Sequence, residues 1–240
     1  KKLLKQQKKQ QNNFKNCEAG RIYPPCFVYI ERMIVLGRLF GTDGARGVAN
    51  TELTNELAMN IGRAAALVLA RNSNGKPKVL IGMDTRISSE MLEAALCAGL
   101  CSVGCDVLLA GVVPTPATAY LIGKYNCDAG VMISASHNPC EYNGIKIFNR
   151  DGYKLADELE EKIEALANSD APMLEKGKKI GTREDREEYQ KEYLAYLKSI
   201  SPERFDGLKI AIDCSNGATS FMARELFSSL GAECFMLADK

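Results

Sequence analysis

Between Thr54 and Phe148, segments of helical period alternate with strand-length apolar runs, and this alternation restricts the fold more than any other feature of the chain. Thr54 to Arg71 reads as a helix, with Thr54 at its N-cap and Glu56–Leu57 in its first turns. Lys78–Asp84 is a strand, Met91–Gly104 a helix, Asp106–Ala110 a strand, and Thr115–Tyr125 a helix that follows prolines. The run Ala129–Gly130–Val131–Met132–Ile133 reads as a buried strand. Ile145–Lys146–Ile147–Phe148 alternates as a half-buried strand does. Together these predict an α/β fold: a mixed, mostly parallel sheet with helices on both faces and an antiparallel portion near Lys146.

Past Gly152 the character changes. Asp157 to Asn168 is an acidic amphipathic helix whose Glu–Lys spacing suits a solvated face. Ala171 to Gly181, with Pro172 and several lysines, reads as a linker. Glu184–Ser199 is a charged helix in which Tyr189, Tyr193 and Tyr196 form a core stripe. Leu208–Asp213 is a strand, Ala218–Leu230 its helix, and Glu233–Leu237 the start of another strand. This second unit begins a Rossmann-like pattern without closing its sheet, so an exposed apolar edge is expected.

The chemistry concentrates after the buried strand. Ser136 is delivered onto a turn written His137–Asn138–Pro139, and Pro139 stops any helix or inner strand there. A second turn, Asn143–Gly144, leads into the strand that carries Lys146. A hydroxyl, the only imidazole of the chain and an ammonium are thus expected at a strand end, where open α/β sheets bind ligands. A hydrolytic serine is disfavoured. No Gly-x-Ser-x-Gly elbow surrounds Ser136, and consecutive side chains on an extended segment would point His137 away from it. A serine that carries a phosphoryl group, steadied by backbone N–H groups, His137 and Lys146, fits better.

Phe40–Gly41–Thr42–Asp43–Gly44–Ala45–Arg46–Gly47 spaces glycines at three-residue intervals around one arginine. Taken alone it is a glycine-rich tight turn. It is neither a P-loop nor a dinucleotide fingerprint, because no Lys-Ser/Thr pair follows and the glycine intervals differ. Arg46 offers a planar donor fork that suits phosphate.

These segments together resemble the α-D-phosphohexomutases from about Gly37 to the end of the chain. The resemblance rests on Gly-Arg-Leu-Phe-Gly-Thr-Asp-Gly at 37–44, Gly82–Met83–Asp84–Thr85–Arg86, Pro114–Thr115–Pro116–Ala117, the Ser136 loop, and Asp213–Cys214–Ser215–Asn216–Gly217–Ala218. It implies that Ser136 is the phosphoserine that donates its phosphoryl group and takes one back, and that the same residue is a ligand of Mg²⁺. His137 and Asn138 match the loop that supports it, Lys146 a lysine that assists proton transfer at the sugar hydroxyl, and Arg46 an arginine that reaches the phosphoserine. The implied substrate is a phosphosugar, glucosamine 6-phosphate isomerised to the 1-phosphate through a bisphosphate; mannose or glucose phosphates are the alternatives within the family. A non-catalytic phosphate-binding module is a third reading. The resemblance also allows a homodimer of a longer protein.

It divides the chain into a basic low-complexity extension at 1–32, a first phosphohexomutase domain at 33–182, and the start of a second at 183–240. The family's Asp-Gly-Asp-Gly-Asp-Arg metal loop does not occur here, and neither do its sugar-reading and phosphate-binding loops of later domains. Two local departures are Cys140, where an aromatic residue is expected, and Ser89, where glycine is expected.

Composition narrows the partners. A net charge of +1 argues against nucleic acid as the main partner. That balance hides residues 1–32, which hold eight Lys or Arg and two Glu; too few large apolar residues accompany them for a membrane anchor, and Met33 is a plausible start. No stretch reaches transmembrane length. The nine cysteines include no Cys-x-x-Cys pair and have only one histidine as a partner. Cys97, Cys101 and Cys105 recur at four-residue intervals, as packing residues of a helix face, and reduced thiols suit the cytoplasm.

Overall fold

Residues 39–239 are described by a computed structural model, apart from 42, 70–74, 170–173, 186–187 and 202. The expected extension at 1–32 and the start at Met33 lie outside the described residues. Strands β1 (Phe40–Gly41), β2 (Gly44–Val48), β3 (Lys78–Met83), β4 (Asp106–Val112), β5 (Ala129–Ile133), β6 (Tyr142–Asn149) and β7 (Arg183–Asp185) form one sheet in the order β1-β2-β6-β5-β3-β4-β7. The β3/β4, β3/β5 and β4/β7 pairings are parallel; β1/β2, β2/β6 and β5/β6 are antiparallel. This is the expected mixed α/β sheet, with an antiparallel flank that reaches two strands beyond the one carrying Lys146.

Helices α1 (Asn55–Leu69), α2 (Ser89–Ser102) and α4 (Asp157–Ala167) cover one face, while α3 (Thr115–Lys124) and α5 (Glu188–Ile200) cover the other. Two layers explain why β5 reads as an unbroken apolar run: all five of its residues are buried. Val131 and Ile133 join the core under α1 and α2, together with Ile81, Leu96 and Ile145. On the opposite face Leu80 and Leu108 pack with Leu121, Ile122 and Tyr189. Thr54 caps α1 as expected: its Oγ1 accepts from the Leu57 N–H at 3.2 Å.

Several boundaries differ from expectation. Glu184 and Asp185 belong to β7 instead of the following helix, because they pair with Leu108 and Leu109 of β4. Three polar residues carry no apolar alternation, so only the partner strand defines this element. The expected division at 182/183 thus runs between Thr182, whose N–H and hydroxyl both donate to Asp106, and a strand of the same sheet. On α4 the face expected to be solvated contains Glu160, which is buried and paired with Lys154 at 3.0 Å. Cys97 and Cys101 do lie on α2, but Cys105 lies beyond it, buried at the approach to β4. The Cys101 thiol donates to the Thr182 carbonyl at 3.7 Å.

A second, two-stranded parallel sheet pairs β8 (Lys209–Asp213) with β9 (Glu233–Leu237), joined by α6 (Ala223–Ser229). The helix is shorter than the expected 218–230. The apolar edge is present: Leu208, Phe221, Phe235 and Leu237 are all more than half exposed. No helix among the described residues is long and apolar enough to cross a membrane.

Candidate active site

The site forms where β5 ends. Ser134 and Ala135 are still buried; Ser136 and His137 are exposed. Ser136 adopts a left-handed backbone with φ 57°, which a non-glycine residue reaches only at a cost. Its N–H donates to Ser134 Oγ at 3.0 Å, and the Asn138 N–H donates to the Ala135 carbonyl at 3.1 Å, so the turn is braced from within. His137 departs from expectation. Because the backbone turns here instead of extending, its Nδ1 comes within 3.3 Å of Ser136 Oγ. No described side chain orients the imidazole from its other side, so the contact suits a supporting role better than a triad.

Asn143 and Gly144 do not form a turn. Both lie inside β6, paired with Gly47 and Arg46 of β2. Asn143 is completely buried; its amide donates to Ser88 Oγ at 2.9 Å and Ser89 Oγ at 3.1 Å, and its Oδ1 accepts from the Gly144 N–H. The glycine at 144 serves a close approach: a Cβ there would stand 2.7 Å from the Ser134 carbonyl oxygen and 3.0 Å from Arg46 Cγ. With no Cβ at 144, the Arg46 side chain passes close over the backbone there.

Arg46 sits on β2 with its Nη1 3.2 Å from Asp43, and its buried Nε lacks a hydrogen-bond partner. Lys146, two residues beyond Gly144, shares that sheet face. It is half-buried, is opposed by Met132 across β5, and makes no ion pair with another described residue. Arg46 and Lys146 thus stand on adjacent strands of one face, beside the strand end that carries Ser136. The glycine-rich segment around Arg46 is a hairpin, β1 to β2. Gly44 is required there because its φ is +87° and a Cβ would meet the Ile145 carbonyl oxygen at 2.4 Å.

Sequence reasoning missed the residue that makes most contacts with the loop. Arg86, just past the end of β3, donates from Nη1 to the carbonyls of Pro139 and Tyr142 at 2.7 and 2.9 Å. Its Nη2 donates to those of Ser136 and Asn138 at 2.9 and 2.8 Å. Its Nε also pairs with Asp84 at 3.1 Å. Ser89, the departure from glycine, is fully buried and donates to Asp84 at 3.0 Å. Cys140 is exposed and engages nothing comparable. The sequence signal was the Asp84–Thr85–Arg86 tip itself; nothing local says that its target lies fifty residues away.

The chain as a whole is similar to known proteins. Residues 37–173 match the family model described as "Phosphoglucomutase/phosphomannomutase, alpha/beta/alpha domain I". The chain belongs to the phosphoglucomutase/phosphomannomutase family. Among curated relatives, a phosphoglucosamine mutase of Clostridium botulinum (strain Loch Maree / Type A3) is 52% identical over 209 residues, covering 85% of this chain and 46% of its own length. One from Acetivibrio thermocellus is 56% identical over 200 residues, covering 82% of this chain and 44% of its own. A solved phosphoglucomutase/phosphomannomutase family protein from Burkholderia thailandensis superposes with a TM-score of 0.71 at 27% identity, covering 85% of this chain and 44% of that one. The chain therefore spans about half the length of the relatives it matches.

The residues present do not by themselves fit a Mg²⁺ site. Ser136 would bring one oxygen, a hard cation takes about six, and no group of three or more His, Cys, Asp or Glu that could hold a metal occurs among the described residues. Asp43, on the hairpin that leads to Arg46, is exposed and paired with Arg46.

Proposed function

We propose that this chain carries the phosphoserine-bearing part of a phosphoglucosamine mutase, which interconverts glucosamine 6-phosphate and glucosamine 1-phosphate. The observation that carries the reading is an exposed Ser136 hydroxyl on a left-handed turn, on a loop held from beneath by Arg86 and beside the face of Arg46 and Lys146. The likeness to named phosphoglucosamine mutases at 52% and 56% identity supports the choice of sugar.

In this reading the 1-hydroxyl oxygen of glucosamine 6-phosphate attacks the phosphorus on Ser136. The bond from phosphorus to Ser136 Oγ breaks, and the hydroxyl proton passes, assisted by Lys146, to the released serine oxygen. The bisphosphate turns over in the site. Ser136 Oγ then attacks the 6-phosphoryl group, the proton returns to the sugar oxygen, and glucosamine 1-phosphate leaves with the phosphoserine restored. Arg46 holds the phosphoryl group through its planar donors, while His137 and Asn138 keep the loop in shape. Positioning and charge neutralisation carry most of such a reaction. Mg²⁺ belongs to the family resemblance, and its carboxylates would have to come from outside the described residues. The described cysteines are free thiols, which supports the cytoplasm as the compartment.

The test is intact mass and site mapping on a full-length protein that contains this sequence, after incubation with a glucosamine bisphosphate. One phosphoryl group is expected on Ser136 and none in Ser136→Ala; absence of label on Ser136 would refute the reading. In the same protein Lys146→Ala should lower kcat more than it raises KM; a loss confined to KM would remove Lys146 from the proton transfer. The 240-residue chain by itself is expected to convert no measurable glucosamine 6-phosphate.

A further inference from the structure

A guanidinium carries five N–H groups, and at Arg86 all five are engaged: one with Asp84 and four with carbonyls of the loop from Ser136 to Tyr142. Its side chain is 11% exposed, as is that of Asp84, so the ion pair and its hydrogen bonds are shielded from competing water. Asp84 is itself fixed by the Arg86 N–H and the Ser89 hydroxyl, and Ser89 accepts from Asn143. The cation is therefore anchored to β3, α2 and β6 before it meets the loop.

Four inward carbonyls have a geometric consequence. In a planar trans peptide the C=O and the next residue's N–H point in opposite directions. With the Ser136 and Pro139 carbonyls drawn onto Arg86, the N–H groups of His137 and Cys140 must point away from it. Neither of these donors has a backbone acceptor among the described residues. Unpaired backbone N–H groups that face outward from one tight turn can form an anion-binding concavity.

We propose that Arg86 is a positioning residue: by gathering the loop carbonyls beneath the turn, it presents the His137 and Cys140 N–H groups to the phosphoryl group on Ser136. The inference rests on the phosphoserine reading and adds what holds that phosphate. Lysine could not substitute, because three donors on one compact nitrogen cannot span four carbonyls and a carboxylate.

The experiment uses this chain with phosphoserine incorporated at position 136 during translation, compared with the unmodified chain by amide NMR. In the wild-type background the His137 and Cys140 amide protons should move downfield on phosphorylation. In Arg86→Lys that movement should be lost, while β3 and β5 amides keep their positions. Hydrogen exchange of the loop amides should quicken by about tenfold or more, because five engaged donors become at most three. Absence of the downfield movement in the wild-type background, or its survival in Arg86→Lys, would overturn the proposal. Should Arg86→Lys fail to fold, Asp84→Asn retains the guanidinium and loosens its anchor; a partial loss of the shift is expected there, and unchanged shifts would overturn the proposal equally. Because the phosphate is installed and not transferred, this result is separate from whether a full-length enzyme ever phosphorylates Ser136.

Discussion

The strand–helix–strand units around β3 and around β8 are built from similar local sequence, yet one is a core and the other is half bare. Lys78–Met83 buries every residue after the first, whereas Lys209–Asp213 and Glu233–Leu237 alternate exposed and half-buried positions throughout. Ile210–Ala211–Ile212, like Val79–Leu80–Ile81, contains apolar residues only. What differs is the number of layers: β3 lies between α2 and α3, while β8 has a single strand neighbour and one short helix nearby. Apolar content therefore marks a strand, and the layers that close over it decide what it contributes to stability.

The largest effect that could break this contrast is core truncation. Leu80→Ala should cost about 2–5 kcal/mol in urea unfolding, because Leu80 is fully buried between β4 and α3; a cost below about 1 kcal/mol would erase the difference between the two sheets. A second effect sharpens it through charge. Glu93, on α2, has a buried Oε1 without a partner, and burial, then the Asp185 charge, pushes its pKa up to about 7. The sign follows from linkage. A carboxyl whose folded pKa exceeds its unfolded value binds more protons when folded, so stability is fullest below about pH 4.5 and falls as pH rises through about 7. Glu93→Gln should therefore raise Tm by about 3 °C at pH 8 and leave it unchanged near pH 4; a pH-independent difference would contradict the burial. Next, Thr54→Ala should cost about 1 kcal/mol by removing the cap of α1. The smallest effect is expected in the second sheet: Phe235→Ala, half exposed, should change stability by less than about 0.5 kcal/mol in the same urea series.

Much of the fold was legible because period and punctuation report on local burial. The limits of Ala129–Ile133 and Glu233–Leu237, and the Thr54 cap, needed only the residues themselves. The site was legible in part. Ser136, His137, Asn138, Arg46 and Lys146 stand out by type and spacing, and the structure gathers them around the end of β5 on the β2 and β6 flank. Three features were not legible. Asn143–Gly144 carries the residues of a turn, but a buried amide network and the passage of Arg46 explain them inside a strand. His137 faces Ser136 Oγ only because the backbone is left-handed between them. Arg86 gave no sign of its range.

The order of strands and helices from α1 to α4, the place of the Ser136 loop and the residue types available to it were determined by the sequence alone, since each depends on hydrophobic period or on the steric character of Gly and Pro. Tertiary structure alone decided that β7 joins the first sheet, that Glu160 is buried, and that one arginine from β3's tip fastens a loop fifty residues later. These contacts depend on which backbones the fold brings together, and side chains distant in sequence leave no periodic trace of their meeting.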